Sequence, residues 1–350
     1  MKLGVNYPWV HCGHDFGPKP PPWAGGAPTD WGAVGDELAR LRALGVRSAR
    51  WWVLAGGVNL PCGSEIAAFA DRRPFGPGFP AAAERWVPRG PLPALPDAFL
   101  DDFDRLLAAC EAADVGLWPS LVSFEAFLPI EDQTGGVTSG GRGAVVLDPA
   151  FLDAVLEPLL DVCEARPAGV FAVEVVNEPR WAMQPGWLAS RFGEHPPWVR
   201  AEAMSGFVRD AAERIAARGL TASVGFLDGA VPWLSVGALA SLRALAARGR
   251  YLHQHHHYPG VTGARTLVPA WRQAIRPCWL GELATSRHGR WHDPGLREDD
   301  PTRFLEARLE LVRRRGYDGA LLWARRATDP HVLWGERTES QARAIAGEPR

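Results

Sequence analysis

The sequence predicts an α/β protein built as a (β/α)8 TIM barrel with long βα loops at its C-terminal face, and three observations predict it. Eight short apolar runs alternate along the chain with segments patterned as amphipathic helices. Several runs are apolar on both faces, as strands of a parallel sheet covered by helices must be. The 350 residues exceed the roughly 250 typical of such a barrel, and the surplus gathers after strands and before helices.

The first strand is expected over 3–7 (LGVNY), and the helix after it in DWGAVGDELARLRAL, with Asp30 as its N-cap. A second strand over 45–54 (GVRSARWWVL) leads to the helix PDAFLDDFDRLLAACEAA, and a third over 115–122 (VGLWPSLV) to DPAFLDAVLEPLLDVCEA. The fourth strand, 169–176 (GVFAVEVV), precedes WVRAEAMSGFVRDAAERIAARG, and the fifth, 221–227 (TASVGFL), precedes SVGALASLRALAARG. Arg-Gly at these helix ends is a C-cap signature. The sixth strand, 250–256 (RYLHQHH), is followed by a weaker helix pattern, VPAWRQAI. The seventh, 277–283 (PCWLGEL), leads to PTRFLEARLELVRRRG, and the eighth, 318–324 (DGALLWA), to a last helix in TESQARAIAG. The surplus lies in 8–29, 55–96 and 123–147, rich in Gly and Pro but too varied for linkers. All three follow strands and crowd the C-terminal face, where such barrels place active sites. No boundary divides the chain, so residues 1–350 are expected to form a single catalytic domain.

Composition narrows the function. Hydrophobic residues make up 47% of the chain and the net charge is −2, with no long run of one sign. That excludes a basic nucleic-acid surface. Five cysteines without a CxxC pair exclude a disulfide framework and a cysteine zinc site. No apolar stretch approaches the roughly 18 residues needed to span a membrane, and MKLGVNYPWV lacks the apolar core of a signal peptide, so a cytoplasmic location is expected. Sixteen Trp stand against four Tyr. Trp serves as core, but many of these lie in loop-like segments, where an indole face stacks on a sugar ring.

The chemistry gathers at strand ends. VEVVNEPRWAM ends the fourth strand in Asn177 and Glu178, and CWLGELATS ends the seventh in Gly281 and Glu282. Three βα units of about 35 residues separate the two glutamates, so strands four and seven stand across the barrel mouth and point both carboxylates into one pit. Two facing carboxylates are what glycoside hydrolysis needs, one attacking the anomeric carbon while the other protonates the leaving oxygen. They must differ in pKa. Arg50, closing strand two, is placed to hold Glu282 ionised, and desolvation beside Trp181 is expected to raise Glu178.

As a set, Asn-Glu-Pro after strand four, Gly-Glu-Leu after strand seven, the Arg of strand two, His-x-Tyr after strand six and Trp closing strand eight resemble clan A glycoside hydrolases. The closest resemblance is to family 5, the cellulase and β-mannanase group. It runs through essentially the whole chain in strand order. The resemblance implies that Glu178 is the acid/base and Glu282 the nucleophile of a retaining β-glycosidase that needs no cofactor. It implies that Asn177 bonds the sugar 2-OH, that Arg50 and Tyr258 of the His256-x-Tyr258 pair support Glu282, and that Trp323 is the sugar platform. The chain departs from the family at the end of strand three, where a frequent His is replaced by the run Ser123, Phe124, Glu125.

Two other classes remain open from sequence. His253, His255, His256 and His257 suggest a metal-dependent hydrolase on the same barrel, although strand alternation divides such a run between two faces. A non-catalytic carbohydrate-binding relative would keep the same glutamates. A carbohydrate is the expected partner in either glycoside reading.

Overall fold

The computed structural model describes residues 1–11, 13–17, 28–57, 59–60, 64–68, 84–88, 90–128, 131–133, 137–183, 199–227, 231–257, 267–284 and 301–323. Eight parallel strands close into a barrel in chain order. They are β1 (Lys2–Asn6), β2 (Ser48–Trp52), β3 (Gly116–Ser123), β4 (Val173–Asn177), β5 (Ala222–Phe226), β6 (Tyr251–His257), β7 (Cys278–Ala284) and β8 (Gly319–Trp323). Pairing of β8 with β1, with Leu3 opposite Ala320, shuts the sheet on itself. Each expected strand is present.

Helices cover the outside, where strands apolar on both faces require a second apolar layer. α1 (Trp31–Ala43) starts where expected, with the Asp30 carboxylate accepting from the Ala33 N–H at 3.0 Å. α2 (Asp97–Ala112) and α3 (Glu157–Ala165) follow; α3 continues a wider helical turn over Leu152–Leu156. Pro158 accounts for that widening, since it has no N–H to give the carbonyl one turn back. α4 (Ala201–Ala217), α5 (Val236–Ala247) and α6 (Pro301–Arg314) extend the cover. Gly219 and Gly249, with positive φ of 75° and 68°, sit just beyond α4 and α5 and let the chain turn back to the next strand.

Two expectations are corrected. The helix read in VPAWRQAI is one tight turn, Ala270–Arg272. A segment that short between Pro269 and Pro277 does not nucleate a helix, and its Ala270 N–H is spent on the Arg315 carbonyl at 2.8 Å. The loops after β2 and β3 also hold structure that the sequence pattern did not show. Ser64–Ala68 pairs antiparallel with Glu84–Pro88, and Glu131–Gln133 with Val137–Ser139. The final helix read in TESQARAIAG lies outside the described residues.

The barrel interior is layered. Trp118, Ala172, Leu252, Trp279 and Leu321 form an apolar plug at the N-terminal end, with the Trp118 and Trp279 rings edge to face at 5.6 Å. Polar side chains occupy the layer above it: Asn6, Arg50, Glu174, Gln254, His256 and Glu282 are all at most 4% exposed. The plug closes one end, so the polar layer opens only toward the other. Cys110, Cys163 and Cys278 are buried and free. Among the described residues no helix is long and apolar enough to cross a membrane.

Candidate active site

A cavity of about 310 Å3 lies over the polar layer, lined by Trp9, Trp52, Phe124, Glu125, Asn177, Glu178, Trp181, Leu227, Glu282 and Trp323. Its lining joins the ends of β2, β3, β4, β7 and β8. Nearly all of these side chains are apolar or acidic, and the aromatic ones stand on two sides. Trp181 packs against Phe124 at 5.8 Å, while Trp52 meets Trp323 edge to face at 5.5 Å and Trp9 at 6.2 Å.

Glu178 follows directly on β4 in a left-handed conformation, with φ of 48°, which is uncommon for a residue other than glycine. Its N–H is held by the Gly225 carbonyl at 2.7 Å, which fixes the turn. The carboxylate points inward, where Oε2 accepts from the Trp181 indole N–H at 2.7 Å and Oε1 lies 2.6 Å from His256 Nδ1. Burial pushes its pKa up to about 7, against the lowering effect of the Trp181 hydrogen bond and of Arg50. The direction is the one expected from sequence. Burial is the largest cause and the nearby Glu174 charge adds to it, whereas Trp181 itself works the other way.

Glu282 projects from β7 beside Gly281, where the pairing register with β8 shifts between Leu280 and Leu283. A Cβ at position 281 would stand 1.9 Å from Gln254 Oε1 and 2.8 Å from His256 Nε2, so only glycine allows β7 to pass this close to the β6 side chains. Glu282 Oε1 accepts from Arg50 Nη1 at 2.7 Å and lies 3.4 Å from His256 Nδ1. One oxygen of Glu178, one of Glu282 and a His256 nitrogen all lie within 4.8 Å of one another. The two carboxylates therefore converge as their positions at opposite strand ends require.

Arg50 organises the layer beneath. Its Nε and Nη2 donate to the two oxygens of Glu174 at 2.7 and 2.6 Å, Nη1 to Asn6 Oδ1 at 2.9 Å and to Glu282, and Nη2 also to Asn177 Oδ1 at 2.7 Å. These bonds use every N–H of a guanidinium. The planar group also lies over the Trp52 ring, 4.2 Å from its centre. Burial opposes the Arg50 charge, and the Glu174 and Glu282 carboxylates outweigh it, so Arg50 stays cationic.

Asn177 lines the cavity, donating from Nδ2 to Ser123 Oγ at 3.1 Å. Ser123 in turn donates to Glu125. Trp323 and Trp181 line the cavity as expected, and His256 reaches both glutamates; Tyr258 lies outside the described residues. Sequence reasoning missed Glu174, Asn6 and Gln254. The signal was present: a lone Glu inside the apolar run GVFAVEVV and an Arg inside SARWW must find each other when both strands are buried.

The run of histidines does not gather. His256 faces inward, but His253 packs against the Phe226 ring at 4.9 Å, His255 meets the Tyr317 hydroxyl at 3.3 Å, and His257 meets Arg308 Nη2 at 3.3 Å. Alternation along β6 sends these three into the helix layer. Among the described residues the one group of His and carboxylates close enough to share an ion is Glu178, His256 and Glu282. These donors do not suit a cation, because the Arg50 charge already occupies Glu282.

No family model matches the chain, and no curated protein matches it. Solved structures do. The β-mannanase of the blue mussel Mytilus edulis is 15% identical, with a TM-score of 0.64 over 99% of this chain and 90% of that one. The endo-1,4-β-mannanase of Eisenia fetida is 16% identical, with a TM-score of 0.65 over 98% and 89%. GH5_18 from Streptomyces cattleya, solved in complex with Manb1-4GlcNAc, is 18% identical, with a TM-score of 0.60 over 99% and 79%. At such identities the likeness is one of fold: this chain shares the barrel of these proteins.

Proposed function

We propose that the protein is a retaining glycoside hydrolase acting on β-linked glycosides or oligosaccharides, with Glu178 as acid/base and Glu282 as nucleophile. The observation that carries this reading is the convergence of the two buried carboxylates within 4.8 Å, in opposite environments. Retaining enzymes hold their pair roughly 5–5.5 Å apart, whereas inverting ones leave room for a water between. Glu282 receives a cationic N–H, which favours its carboxylate; burial raises Glu178 to about 7, which favours the protonated acid.

In the first step Glu282 forms a bond to the anomeric carbon as the glycosidic C–O bond breaks, and the Glu178 proton goes to the leaving oxygen. In the second, water attacks the same carbon, gives its proton to Glu178 and releases Glu282 as carboxylate. Asn177 is assigned to the sugar 2-OH, and Trp323 to the platform under the attacked ring. His256 is assigned to orienting Glu178, and Arg50, with Tyr258, to steadying Glu282. The mannanase neighbours put β-mannosides first among substrates to be tried.

NMR of the first-formed sugar tests the reading. Release with the substrate's anomeric configuration is expected. An inverted product would exclude double displacement, and binding of oligosaccharides without hydrolysis would make the chain a carbohydrate-binding protein.

A further inference from the structure

Glu174 lies beneath the site, fully buried on β4, and contributes nothing to the cavity lining. It is nevertheless held by four hydrogen bonds. Its Oε1 accepts from Arg50 Nη2 at 2.6 Å and from the Ser120 hydroxyl at 2.7 Å; its Oε2 accepts from Arg50 Nε at 2.7 Å and from the Gln254 amide. It thus holds the two-pronged edge of the guanidinium, the strongest geometry such a group offers. Glu282 is left a single N–H of the same cation.

The charges do not balance pairwise. Three carboxylates, Glu174, Glu178 and Glu282, surround one guanidinium, and the ring facing them, His256, is neutral, its pKa lowered by burial to about 4. If Arg50 served Glu282 alone, the two would form a closed ion pair and the nucleophile would bear the whole cationic charge. With Glu174 drawing on the same cation, the cluster carries two negative charges in excess when all three carboxylates are ionised. A proton reduces that excess to one, and Glu178, which lacks a direct bond to Arg50, is where it goes.

We propose that Glu174 is a positioning residue of the reaction: by holding the Nε–Nη2 edge of Arg50, it fixes how much of that cation reaches Glu282 and keeps the proton on Glu178. The proposal rests on the assignment of those two glutamates given above. A purely structural Glu174 would only neutralise buried Arg50, and its loss would cost folding without moving the acid.

The pH dependence of kcat/KM on an oligosaccharide substrate separates the two. The groups facing Glu178 are His256 from β6, Glu282 from β7, Arg50 from β2 and Glu174 from its own strand. Glu174→Gln is expected to move the alkaline limb to lower pH, on the order of half a unit or more, and to lower kcat about tenfold. Arg50→Ala is expected to move the same limb the opposite way, since Arg50 favours the ionised acid. Glu174→Asp, which keeps the charge, is expected to hold the limb near its wild-type position even where kcat falls. Should Glu174→Gln fail to fold, Gln254→Met asks the same question by removing a neutral donor from Glu174: the limb should then rise. An unmoved limb in whichever of these two variants folds overturns the proposal. If the wild type hydrolyses no β-glycoside, the reading of the site fails and Glu174's role fails with it. If the wild type hydrolyses with retention and the limb does not move, only Glu174's role fails.

Discussion

Nδ1 of His256 and Oε1 of Glu178 lie 2.6 Å apart, close enough that a single proton serves both atoms. Burial lowers the imidazole to about 4 and raises the carboxyl to about 7. Between these values the imidazole is neutral and the carboxyl holds the proton, which is the loaded state of a general acid. Cleavage of oligosaccharides is therefore expected to fall as pH rises through about 7. Dinitrophenyl glycosides, whose leaving group needs no proton, should lack that limb in their first step. Rate profiles on the two substrate types check it. An identical limb on both would move the ionisation to another group.

Replacement of the two glutamates should have unlike effects. Glu178→Ala is expected to abolish oligosaccharide cleavage nearly completely, yet to leave the first step on dinitrophenyl glycosides largely intact. A glycosyl-enzyme should then accumulate on Glu282, visible by mass spectrometry, and azide should restore turnover as the β-glycosyl azide. Glu282→Ala should lose both substrate types together. Parallel losses in the two variants on good and poor leaving groups would overturn the assignment of Glu178 as the acid.

Gly281→Ala tests the close passage of β7 over β6. A methyl there collides with Gln254 and His256, and overpacking of this kind costs about 1–3 kcal/mol. We expect a lower melting temperature and a fall in kcat of at least about tenfold, since a small misplacement of reacting groups is costly. Wild-type kcat in this variant would show that the strand relaxes freely.

The histidines of β6 should make the fold sensitive to acid. Burial holds His253 and His257 at about 3, His256 at about 4 and His255 well below its ordinary value. In the unfolded chain each takes a proton near 6.5. The unfolded state thus binds more protons between about 6.5 and 3, and stability falls as pH drops through that window. Glu178 opposes this, being raised when folded, but it is one group against four. Urea midpoints should be lower at pH 5 than at pH 7.5, and His253→Phe, whose ring suits the neighbouring Phe226, should flatten the slope. Equal midpoints at both pH values would mean that the histidines charge without unfolding the barrel.

Much of the site is legible because its residues stand on, or directly after, strands of the barrel. Glu178 directly follows a strand, and Glu282 and Arg50 stand within strands, that read clearly from their apolar patterns, and barrel geometry then brings them together. Glu174 is harder to see. It and Asn177 are three residues apart and should face opposite sides of a regular strand, but the register against β5 shifts between them, so both turn inward. A register shift leaves no mark in a hydrophobic pattern. The opposite holds for His253, His255 and His257: alternation persists along β6 to its end, although pairing with β7 slips between His255 and His256. The hairpins after β2 and β3 are missed because strands of three to five residues, flanked by Gly and Pro, are too short to show a period.

The φ of 48° at Glu178 sets the protein's durability against its chemistry. Glycine adopts that backbone without strain, whereas a side chain there costs on the order of 1 kcal/mol, and this one also buries an ionisable group. Glu178→Gly should therefore melt at a higher temperature than Glu178→Ala, and screens that score heat resistance alone would favour discarding the proposed acid. Any effort to toughen this barrel must select for turnover alongside survival, because the position most comfortable for the backbone to surrender is the one assigned to the proposed acid.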